Sequence, residues 1–407
     1  MLEKGLSFLG IFVMLGCAYL MSMDRKAIKW RPVIWGVSLQ LIFAVLILYL
    51  PFGKYVFDQF DVLIKKLLSF ADEGAKFLFA SFISGNMDPP VINFAFAVLP
   101  TIIFFSAFMT LLYHTGIMNF VVSKIAIVMQ KTMKTSGAET LSAASNIFVG
   151  QTEAPLVVKP FVKKMTQSEL MAVMTGGFAT VAGGVMALYV KMLDGSIEGI
   201  AGHLLAASVM SAPAALAIAK IMIPETQNPE TAEIKDVVIE KLDDNAVEAA
   251  SRGATEGMTL ALNVAGMLVA FVSLVAMANW FLSLAGLSLQ EILGYIFFPF
   301  AVAMGIPFSE ALQAGTLLGE KIVLTELIAY KNLAGAMAEN QLSQRTGVIL
   351  SYALCGFANF ASIGIQIGGI GSIAPERRKD LAKIAFRAMW AGVLAANMTA
   401  TIAGILI

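Results

Sequence analysis

The sequence predicts an all-α integral membrane protein with eight transmembrane helices and two re-entrant helical hairpins that enter the bilayer from opposite sides. Three observations predict it. The first is composition: of 407 residues, 58% are hydrophobic and 14% charged, and mean hydropathy is +0.79, whereas a soluble domain carries roughly 25% charged residues. The second is a series of apolar stretches near the ~20 residues that cross hydrocarbon as a helix. The third is a pattern that occurs twice. Asn146-Ile147-Phe148-Val149-Gly150-Gln151-Thr152-Glu153-Ala154-Pro155 and Lys321-Ile322-Val323-Leu324-Thr325-Glu326-Leu327 are apolar runs interrupted by Thr-Glu. Each is followed by a Gly-Phe-Ala element, at 177–179 and at 356–358. The Thr-Glu pairs lie 173 residues apart and the Gly-Phe-Ala elements 179 apart. A carboxylate inside an apolar segment is expensive and marks a functional site.

The elements follow in order. Spans are expected at 5–22, 32–50, 91–113, 168–190, 198–222, 256–286, 347–369 and 381–406. Only Lys4 precedes the first apolar run and no small-x-small cleavage site follows it, so 5–22 reads as a retained span rather than a cleaved signal. Residues 54–71 form an amphipathic helix with Lys65 and Lys66 on its polar side. Residues 117–132 and 289–305 read as interfacial or bundle-packed helices. Residues 137–164 and 308–338 are apolar but interrupted near the middle, as hairpins with tips at membrane depth, where non-helical backbone must be buried in protein or line a wet cavity.

Lysines and arginines set the orientation. Arg25, Lys26, Lys29 and Arg31 follow the first span; Lys124, Lys131, Lys134, Lys159, Lys163 and Lys164 flank the first hairpin; Arg377, Arg378 and Lys379 precede the last span. With eight spans all fall on one side, which the positive-inside rule makes cytoplasmic. Both termini are then extracytoplasmic, and the hairpins enter from opposite faces as in an inverted repeat. The domains read as 1–90, N-terminal scaffold helices and interfacial helix; 91–223, the first repeat; 224–250, an acidic cytoplasmic linker; and 251–407, the second repeat. The linker's Glu225, Glu230, Glu233, Asp236, Glu240, Asp243 and Asp244 predict a solvated, extended and mobile segment.

The tips carry the chemistry. Gln151, Thr152 and Glu153 place an amide, a hydroxyl and a carboxylate between two half-helices, with donors and acceptors for a neutral polar solute. An anion would be repelled by Glu153 and Glu326. The alternative is a glutamate that caps a half-helix or pairs with a lysine. Asn359 and Ser362 share a helix face at i, i+3 and, with Glu326, suit vicinal hydroxyls, with Phe357 packing on a ring; the alternative is interhelical hydrogen bonding. Asn146 and Val149 precede the first tip, and Thr180 and Val181 sit at a glycine-flanked break in the next span. Their oxygens and the freed carbonyls suit a small monovalent cation, or the segment is a close helix contact through small residues. His114 and His203 stand alone and read as packing residues. Cys17 and Cys355 are too few and too distant for a disulfide framework or zinc site. The net charge of zero implies no nucleic-acid partner. No Walker loop, His-Glu-x-x-His or Gly-x-Ser-x-Gly motif is present, so an enzyme is not expected.

The segments Ser145-Asn146-Ile147-Phe148-Val149-Gly150-Gln151-Thr152-Glu153-Ala154-Pro155-Leu156 and Ala353-Leu354-Cys355-Gly356-Phe357-Ala358-Asn359 resemble the concentrative nucleoside transporter family, closest to its bacterial sodium-coupled members, and the resemblance runs from the first helix to the last. It implies a homotrimeric elevator-type symporter of the bacterial inner membrane that concentrates a uridine-like nucleoside with a cation, with Na⁺ as coupling ion and no other cofactor. By motif, Gln151, Thr152 and Glu153 would contact the base, with Val185 nearby. Glu326, Asn359 and Ser362 would hold the ribose hydroxyls, and Phe357 and Leu260 would pack on the nucleoside. Asn146, Val149, Thr180 and Val181 would coordinate Na⁺, the valines through backbone carbonyls. The family's second tip commonly reads Asn-Glu-Phe where this chain has Thr325-Glu326-Leu327. The competing expectations are a passive channel or exporter for polar metabolites and a proton-coupled nucleoside symporter.

Overall fold

The structure, a computed structural model, describes residues 2–48, 50, 53, 55, 59–69, 99–232, 243–284 and 286–407, with side chains described except at 99 and 263–276. All regular secondary structure among the described residues is helical. Five helical segments there are long and apolar enough to cross a membrane: Leu2–Leu20, Trp30–Leu48, Gln167–Leu193, Ile200–Met222 and Pro375–Leu406. Two bent pairs raise this to as many as seven: Pro100–His114 with Ile117–Met133, bent by 75°, and Leu289–Ala303 with Phe308–Val323, bent by 118°. Helix Ala246–Ser283 has 38 residues and so is about 57 Å long at 1.5 Å per residue. Of the expected span 91–113, the part 91–98 lies outside the described residues; of the expected amphipathic helix 54–71, residues 59–69 are helical and most of the rest lies outside them.

Both expected interruptions are present. Helix Gly137–Ser145 ends in a run of turns at 146–153, and the chain continues in two single-turn helices, Ala154–Val157 and Lys159–Val162. Pro155 and Pro160 each fall in a first helical turn, where the missing N–H costs no hydrogen bond. The second interruption is shorter. Helix Phe308–Val323 stops at Leu324, whose backbone turns to φ −97° and ψ −101°. Thr325 then caps helix Glu326–Ala338, its side-chain oxygen accepting from the Ile328 N–H at 3.4 Å. Threonine is among the residues that cap a helix well.

Each interruption is followed by a helix broken at Gly-Phe-Ala. The first pair is Gln167–Ala179 and Gly183–Leu193; the second is Gln344–Leu354 and Phe360–Ile373. The breaks touch. The Phe357 N–H donates to the Thr180 carbonyl at 3.3 Å. Gly356 sits at φ +150°, and a Cβ there would lie 2.7 Å from the Phe178 carbonyl oxygen. The crossing therefore requires glycine both for its backbone conformation and for its lack of a side chain.

The two units then brace each other. Helix Gly183–Leu193 of the first packs on helix Glu326–Ala338 of the second, where the Tyr189 and Tyr330 rings stack with centroids 4.1 Å apart. Helix Phe360–Ile373 of the second packs on the first tip, and a Cβ at Gly369 would lie 2.7 Å from the Thr152 methyl. Around this centre, Trp30–Leu48 packs on Ile200–Met222 and Leu2–Leu20 on Arg378–Leu406, while Leu99–His114 pairs with Ala246–Ser283.

The linker departs from its expectation over its described residues 224–232. Thr231 is 1% exposed; its carbonyl accepts from the Gly137 N–H at 2.9 Å and its hydroxyl from the Ala138 N–H at 3.1 Å. Glu225 accepts from the Thr166 hydroxyl at 2.7 Å. This stretch docks because it satisfies the otherwise unpaired N–H groups at the start of helix Gly137–Ser145. Lys220, also buried, sits 2.6 Å from Glu139 and offsets its charge.

Gly356→Ala is expected to lower the melting temperature of the purified protein in detergent by several degrees, with strain of about 1–3 kcal/mol. Gly335→Ala, where a Cβ meets nothing within 4 Å, is the matched control and should not lower it.

Candidate functional site

The two tips open on one cavity of about 760 Å³. Gln151, Thr152, Glu153, Val185, Leu260, Glu326, Phe357, Asn359 and Ser362 all line it. These positions span more than 200 residues of sequence and come together because each tip is held by the other unit. Val149 also lines the cavity, whereas Asn146, Thr180 and Val181 are not among its lining residues. They lie behind the first tip, at 0%, 1% and 1% exposure.

A hydrogen-bonded path crosses the site. Tyr189 donates to Glu326 Oε1 at 2.9 Å, and Asn359 Nδ2 donates to Glu326 Oε2 at 2.8 Å. Asn359 Oδ1 accepts from the Ser362 backbone N–H at 2.9 Å. That N–H can only donate, so the asparagine must turn its amide nitrogen toward Glu326. Gln151 Nε2 donates to Ser362 Oγ at 3.2 Å, which carries the path to the first tip. Glu326 also occupies the first position of its helix, where a negative charge is favoured by the backbone dipole. At the first tip, Thr152 donates to Glu153 Oε1 at 2.8 Å, and both residues line the cavity.

The oxygens behind the first tip are suited to a cation. Asn146 donates through Nδ2 to the Ser142 carbonyl at 3.1 Å, and its buried Oδ1 has no partner, nor do the Ser142 and Ser145 hydroxyls. A buried acceptor without a donor is costly, and a small cation would relieve it. Thr180 donates to the Gly176 carbonyl at 2.9 Å, so its hydroxyl oxygen keeps lone pairs. The set is neutral, which suits a monovalent ion over Ca²⁺.

Three contributors had no clear sequence signal. Tyr189 was hidden among the apolar residues of its helix. Gln366 is fully buried and donates to Gln151 Oε1. Lys321 is 1% exposed and donates to the Ala353 carbonyl at 2.8 Å, at the C-terminal end of a helix broken there, where a cation is favoured. His203, expected as packing, accepts from or donates to the Tyr352 hydroxyl at 3.1 Å. At the rim, Arg252 grips Asp243 through two nitrogens at 2.7 and 2.8 Å, and this hydrogen-bonded pairing holds Asp243 below the usual carboxylate range.

Residues 9–82 and 203–404 match the two halves of a family described as Na⁺ dependent nucleoside transporter, N-terminus and C-terminus, and residues 95–195 match one described as nucleoside recognition. The solved structure of CNTnw in an inward-facing substrate-bound state superposes with a TM-score of 0.91 at 40% identity, covering 99% of this chain and 98% of that one. The chain belongs to the concentrative nucleoside transporter family. A doubly substituted CNTnw in an outward-facing state superposes with a TM-score of 0.90. An uncharacterized transporter of Haemophilus influenzae is 44% identical over 98% of this chain and 97% of its own length. Mouse solute carrier family 28 member 3 is 41% identical over 98% of this chain and 58% of its own length, so this chain spans little more than half of that relative.

Members of this family are multi-pass, sodium-dependent nucleoside transporters and not enzymes, in agreement with the reading of the motifs. The all-helical fold of the described residues matches that of the solved transporter.

Tyr189→Phe removes one hydrogen bond to a carboxylate, worth roughly 1.5–3 kcal/mol. It is expected to weaken nucleoside binding by about tenfold or more in calorimetry without lowering the amount of folded protein.

Proposed function

We propose that this chain is a Na⁺-coupled nucleoside symporter working by elevator-type alternating access. The observation that supports it best is the shared cavity, in which two inward-pointing tips present complementary groups. In this reading Gln151, Thr152 and Glu153 face the base, with Val185 beside it; Glu326, Asn359 and Ser362 hold the ribose hydroxyls; and Phe357 and Leu260 pack on the nucleoside. Na⁺ sits behind the first tip among Asn146, the Val149 and Val181 carbonyls and Thr180. Bound there, it would tie the tip to the broken helix and so fix the orientation of Gln151 and Glu153. That link makes cation and nucleoside binding mutually favourable, as linkage requires.

The reading includes eight spans, with 137–164 and 308–338 as re-entrant hairpins of two inverted repeats, 91–223 and 251–407, and with both termini outside a bacterial inner membrane. The paired helices 99–114 and 246–283 are the fixed scaffold and the trimer-forming body. The N-terminal helices, at 1–90 with the interfacial helix, belong to the scaffold in this reading and pack on the closing helices of both repeats. Energetically, one cation crossing 100 mV supplies about 2.3 kcal/mol and a tenfold gradient about 1.4 kcal/mol more. At one-to-one coupling this supports roughly 500-fold accumulation of a neutral nucleoside.

In proteoliposomes, an inward Na⁺ gradient is expected to drive accumulation of labelled uridine above equilibrium. Accumulation driven only by a proton gradient would contradict the ion assignment, and flux without accumulation would contradict symport. Glu326→Gln should weaken uridine binding by at least tenfold. Asn146→Ala should abolish the Na⁺ stimulation of uptake, read as a loss of dependence on external Na⁺ concentration.

A further inference from the structure

Gln366 is outside every role assigned above, yet it is fully buried and reaches the side chain at the centre of the first tip. Its Nε2 donates to two acceptors, the Met174 carbonyl at 3.1 Å and Gln151 Oε1 at 3.1 Å. The Met174 carbonyl has no proton to give, so the nitrogen of Gln366, not its oxygen, must face that way. The second hydrogen of the same NH₂ then points at Gln151 and selects the carbonyl oxygen of that amide. Gln151 is left with its own NH₂ toward Ser362 and the cavity. Flipping Gln366 would set its oxygen against the oxygens of both Met174 and Gln151, and flipping Gln151 alone would set two NH₂ groups against each other. The space for this pair is reserved by Gly177, where a Cβ would lie 2.8 Å from both Gln151 Cβ and Gln366 Nε2.

We infer that Gln366 is a positioning residue that locks the Gln151 amide with its donors facing the base, and so makes this site prefer a nucleobase carrying a carbonyl over one carrying an exocyclic amine at the contacted edge. This rests on the proposal that Gln151 faces the base. A free glutamine amide could turn over and accept from an amine; a locked one can only donate, and would meet the amine donor-to-donor. Leaving buried polar groups unpaired is what allows a site to reject the wrong partner strongly.

The test is calorimetric binding of uridine and cytidine, which differ at one such position, to the full-length protein in Na⁺. The wild type is expected to bind uridine at least tenfold more tightly. Gln366→Met removes the lock without changing side-chain length and should narrow that ratio at least fivefold. Gln366→Glu has at most one hydrogen to give and needs it for the Met174 carbonyl, so it leaves only an acceptor toward Gln151; this turns the Gln151 nitrogen inward and should shift the ratio further toward cytidine. The ratio of uridine to 2′-deoxyuridine should stay within twofold of wild type in both variants, because Glu326 and Asn359 keep their mutual hydrogen bond and Ser362 stays tied to Asn359 through its backbone N–H; a merely loosened site would move both ratios together. A wild-type preference of less than twofold, an unchanged uridine-to-cytidine ratio in both folded variants, or parallel movement of the sugar ratio overturns the inference while leaving nucleoside transport standing. Absence of binding by either nucleoside to the wild type would instead overturn the transport reading, and this inference with it. A wild-type preference below twofold overturns the inference even if neither variant folds.

Discussion

The hydrogen-bonded path from the Met174 carbonyl through Gln366, Gln151, Ser362 and Asn359 to Glu326 and Tyr189 is the constraint on which the site depends. Its ends are anchored by groups with fixed polarity: a carbonyl that only accepts and a carboxylate that accepts through both oxygens. Every amide between them is thereby oriented. In a low-dielectric interior such a network is costly if one member is missing and rigid when all are present. The path joins residues from both tips and both broken helices, so the two units cannot separate locally without breaking it.

The architecture makes this path possible by exchange. The distal half of the first broken helix supplies Tyr189 to the second tip, and the distal half of the second supplies Gln366 and Ser362 to the first. At the crossing, Gly356 lies against Phe178 and the Phe357 N–H bonds to the Thr180 carbonyl. The first tip runs over eight residues, 146–153, and offers three consecutive polar side chains, whereas the second turns within Leu324 and Thr325 and offers Glu326 beside a threonine whose oxygen already caps the next helix. This difference in loop length is the physical origin of their different chemistry. Lys321 adds a further asymmetry, because the second unit carries its own buried cation close to its break while the oxygens behind the first tip include an acceptor with no donor.

Much of this was legible in the sequence because hydrocarbon makes polar residues conspicuous. Thr152-Glu153 and Thr325-Glu326 stood out from apolar text, and the glycines at each Gly-Phe-Ala element marked the breaks within a few residues. The nine side chains read as substrate-facing do line one cavity. Tyr189 and Gln366 were not legible: a tyrosine passes as packing in an apolar helix, and one glutamine beyond the motif has no periodic partner that reveals where it points. Their roles depend on helix crossings that periodicity does not encode. The docking of 224–232 was missed for a related reason. Its acidic composition reads as solvated, and the unpaired N–H groups at the start of helix Gly137–Ser145 explain why Thr231 is buried.

In the proposed function the two tips form one site, the first facing the base and the second the sugar. Its most direct test is uridine calorimetry on the wild type, Gln151→Met and Glu326→Gln in parallel with cytidine and 2′-deoxyuridine. One nucleoside is expected to bind per chain, with loss of base discrimination and retained sugar discrimination in the first variant, and the converse in the second. Two nucleosides bound per chain, or base discrimination untouched by Gln151→Met, would contradict it.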